Sequence, residues 1–397
     1  MCPTYMATRN EMLGTRARAN ALREYLLQDG KGIPLEDGEL FDILDSCLSC
    51  KGCKSECPSN VDMAKLKAEF LQQYYDRNGT SFRTLMVAHI NFLNKIGSLL
   101  PALYNRISSG SFVKKMMGFD LRRTPPKIHK PAIRKWLFLN KNTVNQHIGK
   151  LYLFVDEFTN YHDVHIGVAA VSLLHRLGYH IETVQHKESG RTFISKGLLR
   201  KAQKIAGYNV QLFSRLVSQE IPLVGIEPSC ILSFRDEYPE LVSPALREKA
   251  IQLAPNTMTI EEFVVREWKQ GRIHSSQFTD QPAHVAFHGH CQQKSLITTQ
   301  ATHEMLSIPI NYIVNELKTG CCGMAGSFGY EKKHYDLSMK IGELALFPQV
   351  RETCVETILA APGTSCRQHI EHGTGRKALH PLEVLMGALR SFDYSGR

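Results

Sequence analysis

Apolar residues recur at helical spacing through the first third of the chain, then give way to short apolar runs. Leu13, Ala17, Ala21, Leu22 and Tyr25 share one face of a predicted helix over 11–27, which stops before Asp29-Gly30. Asn60 is placed to cap a second helix over 61–75, closed by Asn78-Gly79. Amphipathic helices continue over 82–119. Their apolar face is expected to pack on the following domain, with a partner or the membrane surface as the alternative. From residue 151 the period changes. The runs 151–155, 181–184 and 223–226 read as buried strands, with helices at 164–177 and 198–218 between them. A strand over 284–288, a helix over 332–346 and a strand over 357–361 repeat that order.

The two stretches also align in sequence. Glu188-Ser189-Gly190 lies opposite Cys321-Cys322-Gly323 at an offset of 133, and Glu227-Pro228-Ser229-Cys230 opposite Gly363-Thr364-Ser365-Cys366 at an offset of 136. The expected fold class is a multidomain α+β chain. It has an all-α unit at 1–80, a helical and basic connector at 81–150, and tandem α/β units at 151–270 and 280–397 related by internal duplication.

Composition narrows the field. The 397 residues leave room for two or three domains, and 43% hydrophobic with 22% charged residues excludes a disordered chain. The greasiest stretch, 85–103, is interrupted by His89, Asn91, Asn94 and Lys95, so no spanning helix is expected. The first residues lack a basic and then apolar leader pattern, so export is not expected. The net charge of +10 is concentrated at 121–150, where eight Lys and Arg occur without one acid among Pro125, Pro126 and Pro131. No nucleic-acid motif accompanies it; a basic connector docked on a domain or an acidic partner is expected. A dinucleotide fingerprint and a P-loop are both absent from the sequence.

Cysteine carries the chemistry. There are eleven, an odd number in a large chain without an export signal, which argues against a disulfide framework. Cys47, Cys50, Cys53 and Cys57-Pro58 form C-x2-C-x2-C-x3-C-P, the bacterial ferredoxin run that holds a [4Fe–4S] cube. Thiolates two residues apart on a tight loop reach different irons of one cube, and Gly52 is expected to let the backbone crowd the sulfides. Structural zinc favours two well-separated C-x2-C pairs. The fourth cysteine of such a run commonly serves a second cluster. Cys57 then points outward and Cys2, itself a C-P ending, completes the first, as though the sequence began inside an earlier motif. Alternatively Cys57 closes the cube and Cys2 is a terminal thiol.

A second group comprises Cys291, Cys321, Cys322 and Cys366, with Cys230 as an outlying candidate. Adjacent thiols before Gly323 point to a metal, a cube or tetrahedral zinc, and otherwise to a reactive thiol pair or a core element. His288 and His290 flank Cys291 at a predicted strand end; a hydrogen-bonded structural role is favoured over ligation or proton relay. Cys354 reads as a small buried hydrophobe, and Glu157 and Glu188 as solvated or hydrogen-bonded remnants.

Residues 284–326 and 361–366 resemble the cysteine-rich CCG domain, found as a tandem pair in one of the subunits of heterodisulfide reductase. The same domain occurs in the iron–sulfur subunits of anaerobic glycerol-3-phosphate dehydrogenase and glycolate oxidase. The run from Asp45 to Lys67, with Cys321-Cys322-Gly323-Met324-Ala325-Gly326-Ser327, resembles the C-terminal iron–sulfur half of FAD-linked oxidases of the D-2-hydroxyglutarate and D-lactate dehydrogenase type. That resemblance implies a ferredoxin-like [4Fe–4S] domain followed by two CCG domains, working as the electron-transfer module of a 2-hydroxy-acid dehydrogenase. FAD would lie on a partner protein or an N-terminal half, and the acceptor would be a quinone, a cytochrome or a soluble carrier. A cytoplasmic chain, or one peripheral to the inner membrane, is implied. Two departures stand out. Gly363 replaces one thiol of the final C-x2-C, and Glu157, Glu188 and Ser189 stand where the first repeat would carry thiols. Two alternatives stay open: a thiol-redox enzyme of the heterodisulfide reductase kind, against which the missing thiol counts, and a zinc-stabilised docking scaffold.

Overall fold

The computed structural model describes residues 2–27, 36–140 and 147–390. Five helices, Pro3–Thr8, Thr15–Leu26, Asp37–Asp45, Gly52–Glu56 and Met63–Asn78, bury Leu22, Leu40, Leu44, Met63, Phe70 and Leu71 in one small core. The expected first helix is broken at Gly14, with a 3-10 turn over Glu11–Leu13 before it. Asp62, not Asn60, caps the last of the five: its Oδ1 accepts from the amides of Ala64 and Lys65 at 3.0 and 3.2 Å. Asn60 has a left-handed φ of 54° and belongs to the turn before it.

Helices Phe82–Ala88, Ile90–Gly97, Pro101–Ser109 and Ser111–Met117 follow. Ala88 and Met117 are buried, whereas Phe92, Leu99, Leu103 and Phe112 remain exposed, so core packing accounts for only part of this apolar face. The basic stretch is a strap whose cations dock on the α/β units. Arg123 donates to Gly329 O at 2.8 Å and Ser338 Oγ at 3.1 Å, Arg134 to Val155 O and His186 O, and Lys150 pairs with Glu182 at 2.9 Å.

Two parallel sheets form the remainder. Strands β1 (Gly149–Phe154), β2 (Tyr179–Glu182), β3 (Leu223–Gly225) and β4 (Thr257–Thr259) lie in the order β2-β1-β3-β4. Strands β5 (Ala283–Phe287), β6 (Tyr312–Glu316) and β7 (Ile358–Ala360) lie in the order β6-β5-β7. Gly149 pairs with Tyr179 and Tyr152 with Leu223 in one sheet, Ala283 with Tyr312 and Val285 with Ile358 in the other. All pairings are parallel, so the crossover helices cover the faces and the central strands read as continuous apolar runs. The two units share one core: Leu151, Val171 and Val264 of the first pack with Leu382, Leu385 and Ala388 of helix Pro381–Ala388. No helix among the described residues is long and apolar enough to cross a membrane.

Candidate metal centres

The first cysteine set lies on the loop between helices Asp37–Asp45 and Gly52–Glu56. Ser49 and Lys51 take left-handed φ values of 52° and 61°, coiling the backbone around its own thiols. The freedom expected of Gly52 is not what the loop uses: Gly52 opens a helix, and a Cβ there would meet Cys50 Sγ at an ordinary 3.7 Å. Cys2, Cys47, Cys50 and Cys53 line one small cavity together with Arg18, Met63 and Ala64. Cys57 does not line it; the thiol is half-buried, with a pKa lowered by the backbone amides of Val61 and Ser59. Burial pushes Cys53 up to about 11. For Cys2 burial works upward, but the Arg18 charge and hydrogen bonds prevail and the thiol is lowered. Arg18 is 1% exposed and donates to Cys2 Sγ at 3.1 Å, Thr4 Oγ1 at 3.2 Å and Ser46 Oγ at 2.8 Å. Four thiols around one cavity, with no carboxylate among its lining and a cation behind one sulfur, fit a cube.

The second set lies where the strands of the second sheet end. Cys291 opens helix Cys291–Leu296 after β5, and Cys366 lies in helix Thr364–Thr374 after β7. Between them Gly323 holds a φ of 100°, and a Cβ there would lie 2.6 Å from Ser338 O, which explains the glycine after the thiol pair. Cys321 makes thiol contacts with Cys291, Cys322 and Cys50, and Cys322 with Cys366 and His288. Hydrogen bonds from Cys321 and Cys366 lower the Cys322 thiol, while their donors are pushed up. Cys50 is lowered to about 7 by its contact with Cys321, against the effect of burial. The two sets are therefore contiguous, joined within an apolar patch of Leu48, Phe328 and Ile341.

Cys230 stands apart. Its buried thiol is pushed up by burial and by the carboxylates of Glu157, Asp156 and Glu227, and it contacts Ser189. Ser189 gives both its amide and its hydroxyl to Glu157, at 2.8 and 2.7 Å. Glu157 is buried, not solvated, and burial pushes its pKa up to about 7. Cys354 is exposed rather than buried, its thiol 2.6 Å from Glu356 Oε2. Sequence reasoning missed Glu227, whose Oε2 accepts from Thr364 N at 2.9 Å and whose Oε1 lies 4.0 Å from His290 Nε2. It also missed the clamp behind the first loop. Lys51, 2% exposed, pairs with Asp62 at 3.1 Å, Glu237 at 3.0 Å and Asp236; Lys54 and Lys65 also bind Asp236, and Arg191 binds Glu237 at 2.7 Å. A largely apolar cavity of about 430 Å³ runs from helices Phe82–Ala88 and Ile90–Gly97 to Cys291, Cys322 and Cys366.

Residues 1–62 match the 4Fe-4S dicluster domain, and the second thiol set is consistent with a further cluster. The N-terminal helical unit is thus a 4Fe-4S domain. The chain is 25% identical to D-2-hydroxyglutarate dehydrogenase of Pseudomonas putida over 435 aligned positions, covering 97% of this chain and 41% of that one. It is 27% identical to one of the subunits of the anaerobic glycerol-3-phosphate dehydrogenase of Escherichia coli K12, over 91% of both chains. Lactate utilization protein A of Halalkalibacterium halodurans is 25% identical over 59% of this chain and 96% of its own. The chain spans about two-fifths of the length of the D-2-hydroxyglutarate dehydrogenases it matches. These similarities are consistent with the iron–sulfur half of FAD-linked oxidases. No solved structure matches the chain.

Proposed function

We propose that this chain is the iron–sulfur electron-transfer module of a FAD-dependent 2-hydroxy-acid dehydrogenase of the D-2-hydroxyglutarate, D-lactate or glycolate class. The contact between Cys50 and Cys321 carries the reading, because it joins the two cysteine sets inside one buried interface. In this reading Cys2, Cys47, Cys50 and Cys53 hold a [4Fe–4S] cube, Cys57 faces away from it, and Cys291, Cys321, Cys322 and Cys366 hold a second cluster. A cube supplies a one-electron couple. The protein's part is to hold the thiols, to place Arg18 behind Cys2, and to fix the loop with the Lys51 clamp. The flavin lies on a partner or on another part of the same polypeptide, as oxidation of a hydroxy acid needs a hydride acceptor. A quinone, a cytochrome or a soluble carrier takes the electrons onward.

The α/β units are read as paired CCG domains, a degenerate one at 151–270 and a second at 280–397. The equivalent strand orders support this, as do the positive φ values of Gly190 and Gly323 after the matched Ser189 and Cys322. In the first unit Glu157, Ser189 and Cys230 meet at the strand ends as Cys291, Cys321, Cys322 and Cys366 do in the second. A second reading, a thiol-redox enzyme, is favoured by the apolar cavity that reaches Cys322 and Cys366.

Iron, sulfide and zinc analysis of anaerobically purified protein, with EPR before and after dithionite, tests the proposal. A reducible cube lost in Cys50→Ser and Cys2→Ser but kept in Cys57→Ser is the expected result. Zinc without iron would overturn it. A mixed disulfide formed when the Cys322 thiolate attacks a small disulfide and releases its other half as a thiol, without a reducible second cluster, would favour the thiol enzyme.

A further inference from the structure

We propose that His288 is a metal ligand, so that the second cysteine set is a mixed imidazole–thiolate cluster site rather than an all-thiolate one. This rests on the reading that Cys291, Cys321, Cys322 and Cys366 hold a cluster. His288 follows β5 and is fully buried. Its Nδ1 lies 2.6 Å from Thr319 Oγ1. The Thr319 hydroxyl donates to Leu317 O at 3.3 Å, and Lys294 Nζ sits 3.4 Å from the same oxygen. Thr319 Oγ1 therefore accepts from Nδ1–H, which puts the proton on Nδ1 and the lone pair on Nε2. That Nε2 is buried with no hydrogen-bond partner. The His288 ring, in contact with the Cys322 thiol, forms with Cys322 Sγ and Cys366 Sγ a group whose ligand atoms are all within 4.8 Å of one another. A ring locked through one nitrogen and left bare at the other, beside two thiols, is the arrangement by which proteins aim a metal-binding histidine.

His290 has the opposite assignment. Its Nδ1 accepts from Gln292 N at 3.2 Å, so Nε2 carries the proton and faces Glu227 Oε1 at 4.0 Å. It is a positioning residue with no lone pair to offer. Its ring also explains the missing thiol: a Cβ on Gly363 would stand 2.4 Å from His290 Cδ2. The imidazole of His290 fills the room in which a cysteine at 363 would project, and His288 supplies the donor that this cysteine would have provided. Exchanging one thiolate for a neutral imidazole removes a negative charge from the ligand set and raises the reduction potential. A cluster held here would therefore have a higher reduction potential than its all-thiolate counterpart at the same site.

The test uses the full chain purified anaerobically, read by iron content and pulsed EPR of the dithionite-reduced protein, with and without 15N-histidine. Wild type is expected to bind about eight irons and to show one strongly coupled imidazole nitrogen that responds to the label. His288→Cys should keep the iron, lose that coupling and titrate at a lower potential. His288→Ala should lose about half the iron, and His290→Gln should retain the coupling. About eight irons without a coupled nitrogen, or a coupling that survives in His288→Cys, would overturn the inference and leave the two-cluster reading intact. About four irons in wild type, or zinc in place of the second four, would overturn the two-cluster reading and the inference with it.

Discussion

Replacing Lys51 with Met tests how the 4Fe-4S domain is fastened to the first α/β unit. The clamp contains Lys51, Lys54, Lys65 and Arg191 against Asp62, Asp236, Glu237 and Glu240, an even match of charges. Lys51 is the most buried of the lysines and touches three of the carboxylates. Met keeps the stem and deletes the ammonium, leaving one negative charge unmatched in a largely buried cluster. Breaking a buried pair from one side costs about 3–5 kcal/mol. Lys54 and Lys65, 17% and 23% exposed, remain to share Asp236, which places the loss near the lower figure, about 3 kcal/mol. At roughly 2–4 °C per kcal/mol, Tm should fall by roughly 6–12 °C. Asp236→Asn added to Lys51→Met restores the charge match and should recover more than half of the loss.

The pH dependence of this clamp follows from its two ends. Lys51 is raised above the ordinary lysine value, so its share is complete below that value and lost only as pH rises through the folded one. Asp236 is lowered, so its share is complete above the ordinary aspartate value and lost as pH falls through the folded one. The difference between wild type and Lys51→Met should therefore stay flat from about pH 5 to 9. Thermal melting followed by circular dichroism, with limited proteolysis to locate the first segment released, measures it. A loss under 1 kcal/mol, or a double variant weaker than the single, would refute the reasoning.

His334 lies 2.9 Å from Asp45 Oδ2 and 3.3 Å from Glu331 Oε2, stacked on Phe328, and these carboxylates raise its pKa against the effect of burial. Its contribution is complete below the ordinary histidine value and lost as pH rises through the folded one; a chemical-denaturation series should show wild type losing about 1.5 kcal/mol relative to His334→Gln across that rise. Arg18→Gln removes the cation behind Cys2 and should lower the potential of the N-terminal cube by roughly 30–60 mV at full iron occupancy, up to a tenfold change in the one-electron equilibrium. An EPR-monitored redox titration checks this, and an unshifted potential would show that Arg18 is structural only.

Much of this architecture was legible because it rests on local rules. The cysteine run gave its chemistry by spacing alone, and the strands near 151, 223 and 284 were betrayed by apolar runs. β4 escaped because Thr257-Met258-Thr259 is three residues long, and β6 because Tyr312–Glu316 is an edge strand left largely to solvent. For Glu157 the hydrogen-bonded alternative holds, but its burial was not legible. A carboxylate is ordinarily solvated, and only the convergence of strand ends reveals that Ser189 supplies the hydrogen bonds that let it be buried. The same holds for Cys50 and Cys321, or His290 and Gly363: residues far apart in sequence, whose meeting no spacing encodes.

The core shared by the α/β units also bears on synthesis. The first unit reaches its last strand at Thr259, yet Leu382, Leu385 and Ala388 complete its packing roughly 120 residues later. At about 5–20 residues per second, a ribosome takes on the order of ten seconds to make that interval. Throughout it, the helix Val164–Arg176 presents an uncovered apolar face while the nascent 4Fe-4S domain already displays its thiols. The shared core closes only once that helix is made, which makes the interval between Thr259 and Pro381 the period when chaperones and cluster-assembly machinery have access to it.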